Sequence, residues 1–154
     1  MKVEYINPFL SATLEVLKTM AFMEAQPRPP VLKNNGDSLG DVSGIIGITG
    51  PVRGSLSLSF SSACILKIVA NMLGEEFPAI NAEIKDAVGE LTNMISGAAR
   101  QKLEALGYKS QSSLPTVVYG PNHQIKHRCE APTIAIPFVT QAGPFVVEVS
   151  FANQ

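Results

Sequence analysis

The chain has 154 residues, of which 45% are hydrophobic and 16% are charged, and its formal net charge is -1. This composition is that of a globular protein with a buried core, and the length fits a single domain spanning residues 1–154. The near-zero charge gives no broad electrostatic reason to expect nucleic acid or a membrane surface as a partner, and no apolar run reaches the ~20 residues that span a bilayer.

The N-terminal residues lack the charged start and unbroken apolar segment that define a signal peptide. Two cysteines, Cys64 and Cys129, make no disulfide framework, so we expect a cytoplasmic protein with buried, reduced thiols. Asn7 followed by Pro8 is typical of the N-cap and first position of a helix, and the apolar spacing extends this helix to about Met23.

Alternating or apolar segments predict five strands, and two further helices are expected between them. Strands are expected over 42–49 and 54–60, because apolar residues and serines alternate in the second segment. Ser61 or Ser62 is expected to cap a helix that ends at Gly74. The remaining expected elements are a long helix over 79–106 and strands over 116–119, 133–140 and 145–151.

A faint internal repeat joins the first strand pair to the last one. In each pair an apolar strand and a Gly-Pro turn lead to a strand that ends in Leu-Ser-Phe or Val-Ser-Phe, and each pair follows an amphipathic helix. Two apolar hairpins can also look alike by chance, so the residues leave both interpretations open. We predict an α/β (α+β) fold with a largely antiparallel sheet, packed on one face by two long helices, in pseudo-symmetric halves.

The long helix carries polar residues in an unusual pattern. Its core-facing stripe consists of Ile84, Val88, Leu91, Ile95, Ala99 and Leu106. Asp86, Glu90, Asn93 and Gly97 share the opposite stripe, where the two acids repel each other. Gly89 and Gly97 each weaken the helix by about 1 kcal/mol relative to alanine. A surface that another molecule approaches closely would explain this pattern, and an ordinary solvated helix face is the alternative.

Asp86, Glu90 and Asn93, followed by Pro115, have the order and spacing of the motif of the CheC/CheX/FliY family of chemotaxis phosphatases, which this chain resembles. The flanking residues around Glu90 and those from Pro115 to Gly120 also resemble the family, as do the first strand pair and its turn. The length and the single motif are most similar to CheX-type members. The resemblance implies a CheC-like fold in which Pro115 has a structural role.

The first helix carries an incomplete counterpart of the motif. Ser11 and Glu15 have the matching spacing, but Lys18 occupies the position of the asparagine. CheC-type members carry a second copy of the motif on this helix. The departure at Lys18 implies that this chain has one active site and that Ser11 and Glu15 belong to an ordinary helix face.

The resemblance implies that the protein hydrolyses the aspartyl phosphate of a phosphorylated CheY-type response regulator, and that it forms a homodimer by continuing a sheet between subunits. Asn93 would orient the attacking water, because a neutral carboxamide donates and accepts hydrogen bonds without repelling phosphoryl oxygens. Glu90 would dock on a lysine of the regulator. Asp86, Gly89 and Gly97 are expected to contact the partner. The protein needs no cofactor of its own, since Mg²⁺ is expected in the regulator.

Other functions are compatible with parts of the sequence. The main alternative is a non-catalytic module of the same fold that binds a response regulator or a flagellar switch component, and an orphan dimer with neither role is a third. His123, His127 and Cys129 lie in a spacing that metal sites also use, but a metal needs three or four convergent ligands, so a polar loop is the expectation. Cys64 has apolar neighbours and is expected to be buried and unreactive.

Overall fold

The computed structural model describes residues 3–33, 40–125, 127 and 131–152, which form three helices and eight strands. The helices are α1 (Val3–Ala21), α2 (Ser62–Leu73) and α3 (Ala82–Ala105). The strands are β1 (Gln26–Pro27), β2 (Val31–Leu32), β3 (Gly40–Thr49), β4 (Arg53–Phe60), β5 (Gln111–Ser112), β6 (Thr116–His123), β7 (Thr133–Thr140) and β8 (Gly143–Ala152). All strand pairs are antiparallel, so the predicted fold class is confirmed.

The sheet consists of two interlocked copies of one unit. The strand order is β1-β7-β8-β4-β3-β5, with β2 also paired to β7 and β6 also paired to β3. The unit α1-β1-β2-β3-β4 therefore recurs as α3-β5-β6-β7-β8, and the first two strands of each unit pair with the hairpin of the other. At the centre, β4 pairs with β8 so that Phe60 lies opposite Phe145 and Gly54 lies opposite Phe151. The predicted pseudo-symmetric halves are confirmed.

One face of the sheet is apolar and carries the helices. Leu58 of β4 lies opposite Val147 of β8, and both are fully buried in a core that includes residues of α1, α2 and α3. The short helix α2 therefore packs on the same face as the two long helices, for which the packing was predicted. The core stripe of α3 is confirmed for Ile84, Val88, Leu91, Ile95 and Ala99, which are at most 1% exposed. Leu106 is 52% exposed, and its predicted burial is wrong because α3 ends at Ala105.

The first helix starts earlier than the sequence predicts. Its start at Val3 leaves Pro8 inside the helix, so the prediction of Asn7 as N-cap and Pro8 as first helical residue is wrong. Tyr5 gives the reason: it is buried, and its ring contacts those of Tyr108 and Phe151 at centroid distances of 5.1 and 6.4 Å. Packing of this extra turn outweighs the preference of Asn7 and Pro8 for a helix start, because most helix stability in proteins comes from tertiary contacts.

Capping residues define both ends of α2 and the start of α3. The Ser61 hydroxyl accepts a hydrogen bond from the Cys64 amide at 3.3 Å, and Gly74 ends α2 with a positive φ of 69°, as predicted. Asn81 caps α3 by accepting the Ile84 amide at 3.0 Å. The long helix therefore begins at a defined residue, three positions later than predicted, and this fixes the register of the polar stripe that it carries.

The strand β6 continues to His123, four residues beyond its expected end at Tyr119. Asn122 adopts a φ of 53° near an irregularity in the pairing with β3, which lets turn-type residues remain in the strand. Asp41 of β3 accepts hydrogen bonds from the backbone amide and hydroxyl of Ser62 at 2.8 and 2.9 Å and from the Asn122 amide at 3.3 Å. These bonds lower the pKa of the Asp41 carboxyl, and they join β3 to α2 and β6.

Candidate active site

The polar stripe of α3 lies on the surface. The side chains of Asp86, Glu90 and Asn93 are all exposed, as predicted. Asn93 follows Asp86 by seven positions, which is two turns or about 10 Å of helix. Within the part of the chain that the structure describes, no residue forms a hydrogen bond or an ion pair with any of these three side chains. The stripe therefore presents two carboxylates and one carboxamide whose hydrogen-bonding groups are available to another molecule.

The opposite side of α3 is seated closely on the sheet. Thr92 is fully buried, and its hydroxyl donates a 2.7 Å hydrogen bond to the Val88 carbonyl. A methyl group added to Gly44 of β3 would overlap the Thr92 Oγ1 atom. Because this contact leaves no spare room, the helix has a fixed height above the sheet, and Asn93 next to Thr92 is held on a rigid element.

Gly89 does not lie on the exposed stripe. It is buried, and a Cβ atom there would be 3.5 Å from Val117 and 3.9 Å from Pro115, at the start of β6. The prediction that Gly89 contacts a partner is therefore corrected, because this residue is buried on the side of α3 that faces β6. Pro115 lies beside this helix turn, and its structural role stays a prediction.

Gly97 lies one turn after Asn93 and is half-buried. A Cβ atom there would be 4.0 Å from the Nη2 atom of Arg100, so the space above Gly97 is occupied by a guanidinium group. Arg100 was missed by the sequence analysis, although its spacing of seven residues from Asn93 puts it on the same stripe. Whether Gly97 contacts a partner directly stays a prediction.

Exposed apolar and aromatic side chains flank the stripe on the β6 side. Leu114, beside Pro115, is 88% exposed, and Tyr119 is 48% exposed. The ammonium group of Lys85 lies 4.8 Å from the centre of the Tyr119 ring, a cation–π contact that joins α3 to β6. Sequence periodicity gave no sign of this flank, because the residues come from two elements that only the sheet pairing brings together.

The matching positions on α1 are exposed but differently engaged. Ser11, Glu15 and Lys18 all face solvent. The Glu15 carboxylate forms an ion pair with Lys102 of α3 at 3.0 Å. This surface therefore has a lysine in place of the amide and a carboxylate with a partner inside the molecule, which favours the predicted single site on α3.

Both histidines contact polar residues on the sheet face opposite the helices. His127 forms a hydrogen bond with Ser55 at 2.5 Å and lies 3.1 Å from the fully buried Glu148 carboxylate, to which Lys33 donates at 2.9 Å. His123 has a separate partner on β3, a serine hydroxyl at 2.6 Å. These contacts join His127 and Lys33, the residue after β2, to the back of the sheet.

No group of three His, Cys, Asp or Glu side chains that could hold a metal occurs among the residues that the structure describes. Of the weighed metal ligands, Cys129 lies outside those residues. Cys64 is buried as predicted, and burial raises the pKa of its thiol to about 11, although a contact with Thr140 opposes this shift. The thiol is thus uncharged at neutral pH and poorly suited to nucleophilic chemistry. None of the described helices has the length and apolar character needed to cross a membrane.

A sheet of two interlocked halves, with an acid, an acid and an amide exposed along one long helix, defines a domain of the CheC-like class of chemotaxis proteins. A CheC-like superfamily protein from Shewanella sp. PV-4 has this fold, with a TM-score of 0.94 and 45% sequence identity over 99% of this chain and 100% of that one. The family model for chemotaxis phosphatase CheX matches residues 42–139. The chain belongs to the CheX family of chemotaxis phosphatases.

Two further relatives describe that family. The CheY-P phosphatase CheX of Thermotoga maritima is 33% identical to this chain over 127 residues, which cover 82% of each protein. A chain from the crystal structure of the CheX–CheY–BeF3–Mg²⁺ complex of Borrelia burgdorferi matches with a TM-score of 0.83 and 26% identity, over 99% of this chain and all of that one.

Proposed function

We propose that this protein hydrolyses the aspartyl phosphate of a CheY-type response regulator, and that the exposed stripe of α3 is its active site. The observation that carries the proposal is the set of three adjacent side chains, Asp86, Glu90 and Asn93, that are exposed and have no partner among the described residues. The Thermotoga relative is a phosphatase of phosphorylated CheY by name, and the Borrelia relative was crystallised with CheY, which support the same partner class here.

Asn93 is proposed to orient the attacking water. An aspartyl phosphate is a reactive acyl phosphate, and the regulator already supplies a metal and a lysine that neutralise charge on the phosphoryl group. The missing component is a water held in line with the leaving carboxylate oxygen. A carboxamide can accept a hydrogen bond from this water and donate one to it, and it carries no charge that would repel the phosphoryl oxygens. The close contact of α3 with Gly44 supports this role, because the helix backbone that carries the amide is already in place before the regulator binds.

Glu90 is proposed to dock the helix on the regulator. It lies one turn before Asn93 on the same exposed stripe, so a carboxylate–lysine pair at Glu90 would set the distance between the amide and the phosphoryl group. Asp86, a further turn away, extends this acidic contact. Acids are suited to these positions, because they meet the basic part of the regulator's site at a distance from the phosphoryl oxygens.

The proposal assigns Mg²⁺ to the regulator, so the phosphatase contributes no metal ligand. It also places the reaction in the cytoplasm, where response regulators receive their phosphoryl groups.

The test is the rate at which a phosphorylated CheY-type regulator of the same organism loses phosphate, with wild-type protein, Asn93→Ala and Gln141→Ala. Gln141 is a matched control, since it is an exposed amide in the turn between β7 and β8, away from α3. Wild-type protein and Gln141→Ala are expected to accelerate the loss equally. Asn93→Ala is expected to lower the catalysed rate about a hundredfold while it still binds the regulator.

Two other outcomes would contradict this proposal. If wild-type protein binds the phosphorylated regulator but does not accelerate phosphate loss, the chain is a binding module of the same fold. If Asn93→Ala keeps the full rate, hydrolysis takes place without the amide, and the assignment of the site is wrong. A panel of the regulators of the organism guards against the choice of a wrong partner.

We also propose that the protein forms a homodimer through β6. Within the described residues, β6 pairs only with β3, so the other edge of this eight-residue strand is unpaired. Long open edges favour pairing with a second chain, whereas the opposite edge of the sheet is closed by strands of only two residues. Light scattering should give twice the chain mass of 16.4 kDa. Thr116→Lys, which adds a charge to this edge, should give the single-chain mass, and a wild-type monomer would contradict the dimer.

A further inference from the structure

Arg100 brings a positive charge close to Asn93. The two residues are seven positions apart on α3, and side chains of a helix point towards its N-terminus. The Nη2 atom of Arg100 lies 4.0 Å from the position of a Cβ atom at Gly97, so the guanidinium extends back over Gly97. Gly97 is four residues from Asn93, which corresponds to about 6 Å along the helix. The guanidinium is thus one turn from the amide, on the same stripe.

The Arg100 guanidinium has no partner within the described part of the molecule. Its Nε atom is buried and forms no hydrogen bond, and no described carboxylate lies within ion-pair distance. The other two basic side chains of α3 are engaged elsewhere: Lys85 lies over the Tyr119 ring, and Lys102 pairs with Glu15. The two Nη atoms also form no hydrogen bond within the described residues, and unlike Nε they are not buried. Their N–H groups can therefore donate to an anionic oxygen that a partner brings to this position.

The charges along the stripe differ from one end to the other. Asp86 and Glu90 repel anions at the N-terminal end, whereas Arg100 attracts them on the other side of Asn93. A guanidinium offers two parallel N–H donors that match two oxygens of a phosphoryl group. We propose that Arg100 binds the phosphoryl oxygens of the regulator, and that this contact makes the protein prefer the phosphorylated regulator over the unmodified one. The inference rests on the proposed function and adds a specificity-determining residue to its site.

The experiment measures binding and not turnover. The regulator is the one whose phosphate loss the wild-type protein accelerates, loaded with Mg²⁺ and studied with and without beryllofluoride, whose fluorines stand in for phosphoryl oxygens. Dissociation constants are measured for wild-type protein, Arg100→Gln, Arg100→Lys and the control Lys102→Gln. Arg100→Gln removes the charge and leaves a shorter side chain that can still donate a hydrogen bond. Arg100→Lys keeps the charge and most of the length if the glutamine variant fails to fold.

Wild-type protein and Lys102→Gln are expected to bind the beryllofluoride form more tightly by the same factor. Arg100→Gln should reduce this factor about tenfold or more, with unchanged affinity for the unmodified regulator, and Arg100→Lys should reduce it less. The inference is overturned if Arg100→Gln weakens binding of the beryllofluoride form and of the unmodified regulator equally, or weakens binding of neither. It is also overturned if wild-type protein binds the two forms with the same affinity.

Failure of this inference is distinguishable from failure of the proposed function. Asn93→Ala should lose hydrolysis and keep the beryllofluoride preference, because the amide acts on the water and not on the phosphoryl oxygens. A wild-type protein that hydrolyses, with an Arg100→Gln variant of undiminished preference, would refute the role of Arg100 alone. A wild-type protein that hydrolyses no regulator of the organism would refute both.

Discussion

The two long helices occupy equivalent places in the repeated unit, yet only α3 carries a complete polar stripe. On α1 the three matching positions are Ser11, Glu15 and Lys18, and Glu15 is paired with Lys102. On α3, Asp86, Glu90 and Asn93 have no hydrogen-bond or ion-pair partner among the residues that the structure describes. Exposure and spacing are the same on both helices, so they do not define the site. What distinguishes α3 is a neutral amide at the third position and acids that remain available to another molecule.

The helices also meet the sheet differently. The helix α3 packs on β3, β4 and β6, whereas α1 packs mainly on the other two helices. Gly44 of β3 allows Thr92 of α3 to approach the strand closely. The close contact is therefore found under the helix that carries the amide, where a fixed position has a use in catalysis.

The largest expected effect comes from making α3 resemble α1. Asn93→Lys should lower the rate of regulator dephosphorylation about a hundredfold or more. An ammonium group can donate a hydrogen bond to the attacking water but cannot accept one from it. The converse change, Lys18→Asn in an Asn93→Ala background, should restore little activity, since Glu15 is held by Lys102. Both are measured as phosphate loss from the regulator. Substantial rescue by Lys18→Asn would show that α1 retains a second site.

A smaller effect is expected from filling the contact between α3 and β3. Gly44→Ala should lower the free energy of unfolding by about 2 kcal/mol, because the added methyl group overlaps Thr92 and the helix has to move. Urea denaturation measures this change, and Gly44→Ala combined with Thr92→Ala should recover part of the loss. An unchanged urea midpoint for Gly44→Ala would mean that α3 is not held tightly at this contact.

The smallest expected effect concerns the pair that distinguishes α1. The side chains of Glu15 and Lys102 are 56% and 38% exposed. Glu15→Ala should lower the free energy of unfolding by only about 0.5 kcal/mol, and less in high salt, because water and ions screen an exposed pair. Dephosphorylation should keep its wild-type rate. A clear loss of activity would indicate that the Glu15–Lys102 pair positions α3 for catalysis.

Much of the fold could be predicted because its local signals agree with its packing. The capping serine and Gly74 define α2, and the alternation of serines with apolar residues in β4 is reproduced by the sheet. The start of α1 was mispredicted because the signal at Asn7 and Pro8 is local, whereas Tyr5 is stabilised by Tyr108 and Phe151 from distant parts of the chain. The strands β1, β2 and β5 were not predicted, since two-residue strands have no periodicity and exist only through their pairing.

The candidate site was predictable to the extent that it lies on one helix. Helical spacing places Asp86, Glu90 and Asn93 on one exposed stripe without reference to the rest of the molecule. The burial of Gly89 could not be predicted in this way, because β6 follows α3 in the chain and is brought next to it only by pairing with β3. The position of the Arg100 guanidinium depends on a side-chain conformation that residue spacing does not determine.

The interlocking of the two units has a consequence for synthesis of the protein. When the first unit leaves the ribosome, β3 and β4 are available, but the strands that flank them, β6 and β8, have not been made. The hairpin then has two unpaired edges and an uncovered apolar face until most of the chain has emerged, and pairings between such distant segments form slowly. The nascent first half is thus the species at greatest risk of aggregation, and completion of β8 closes the sheet at its centre.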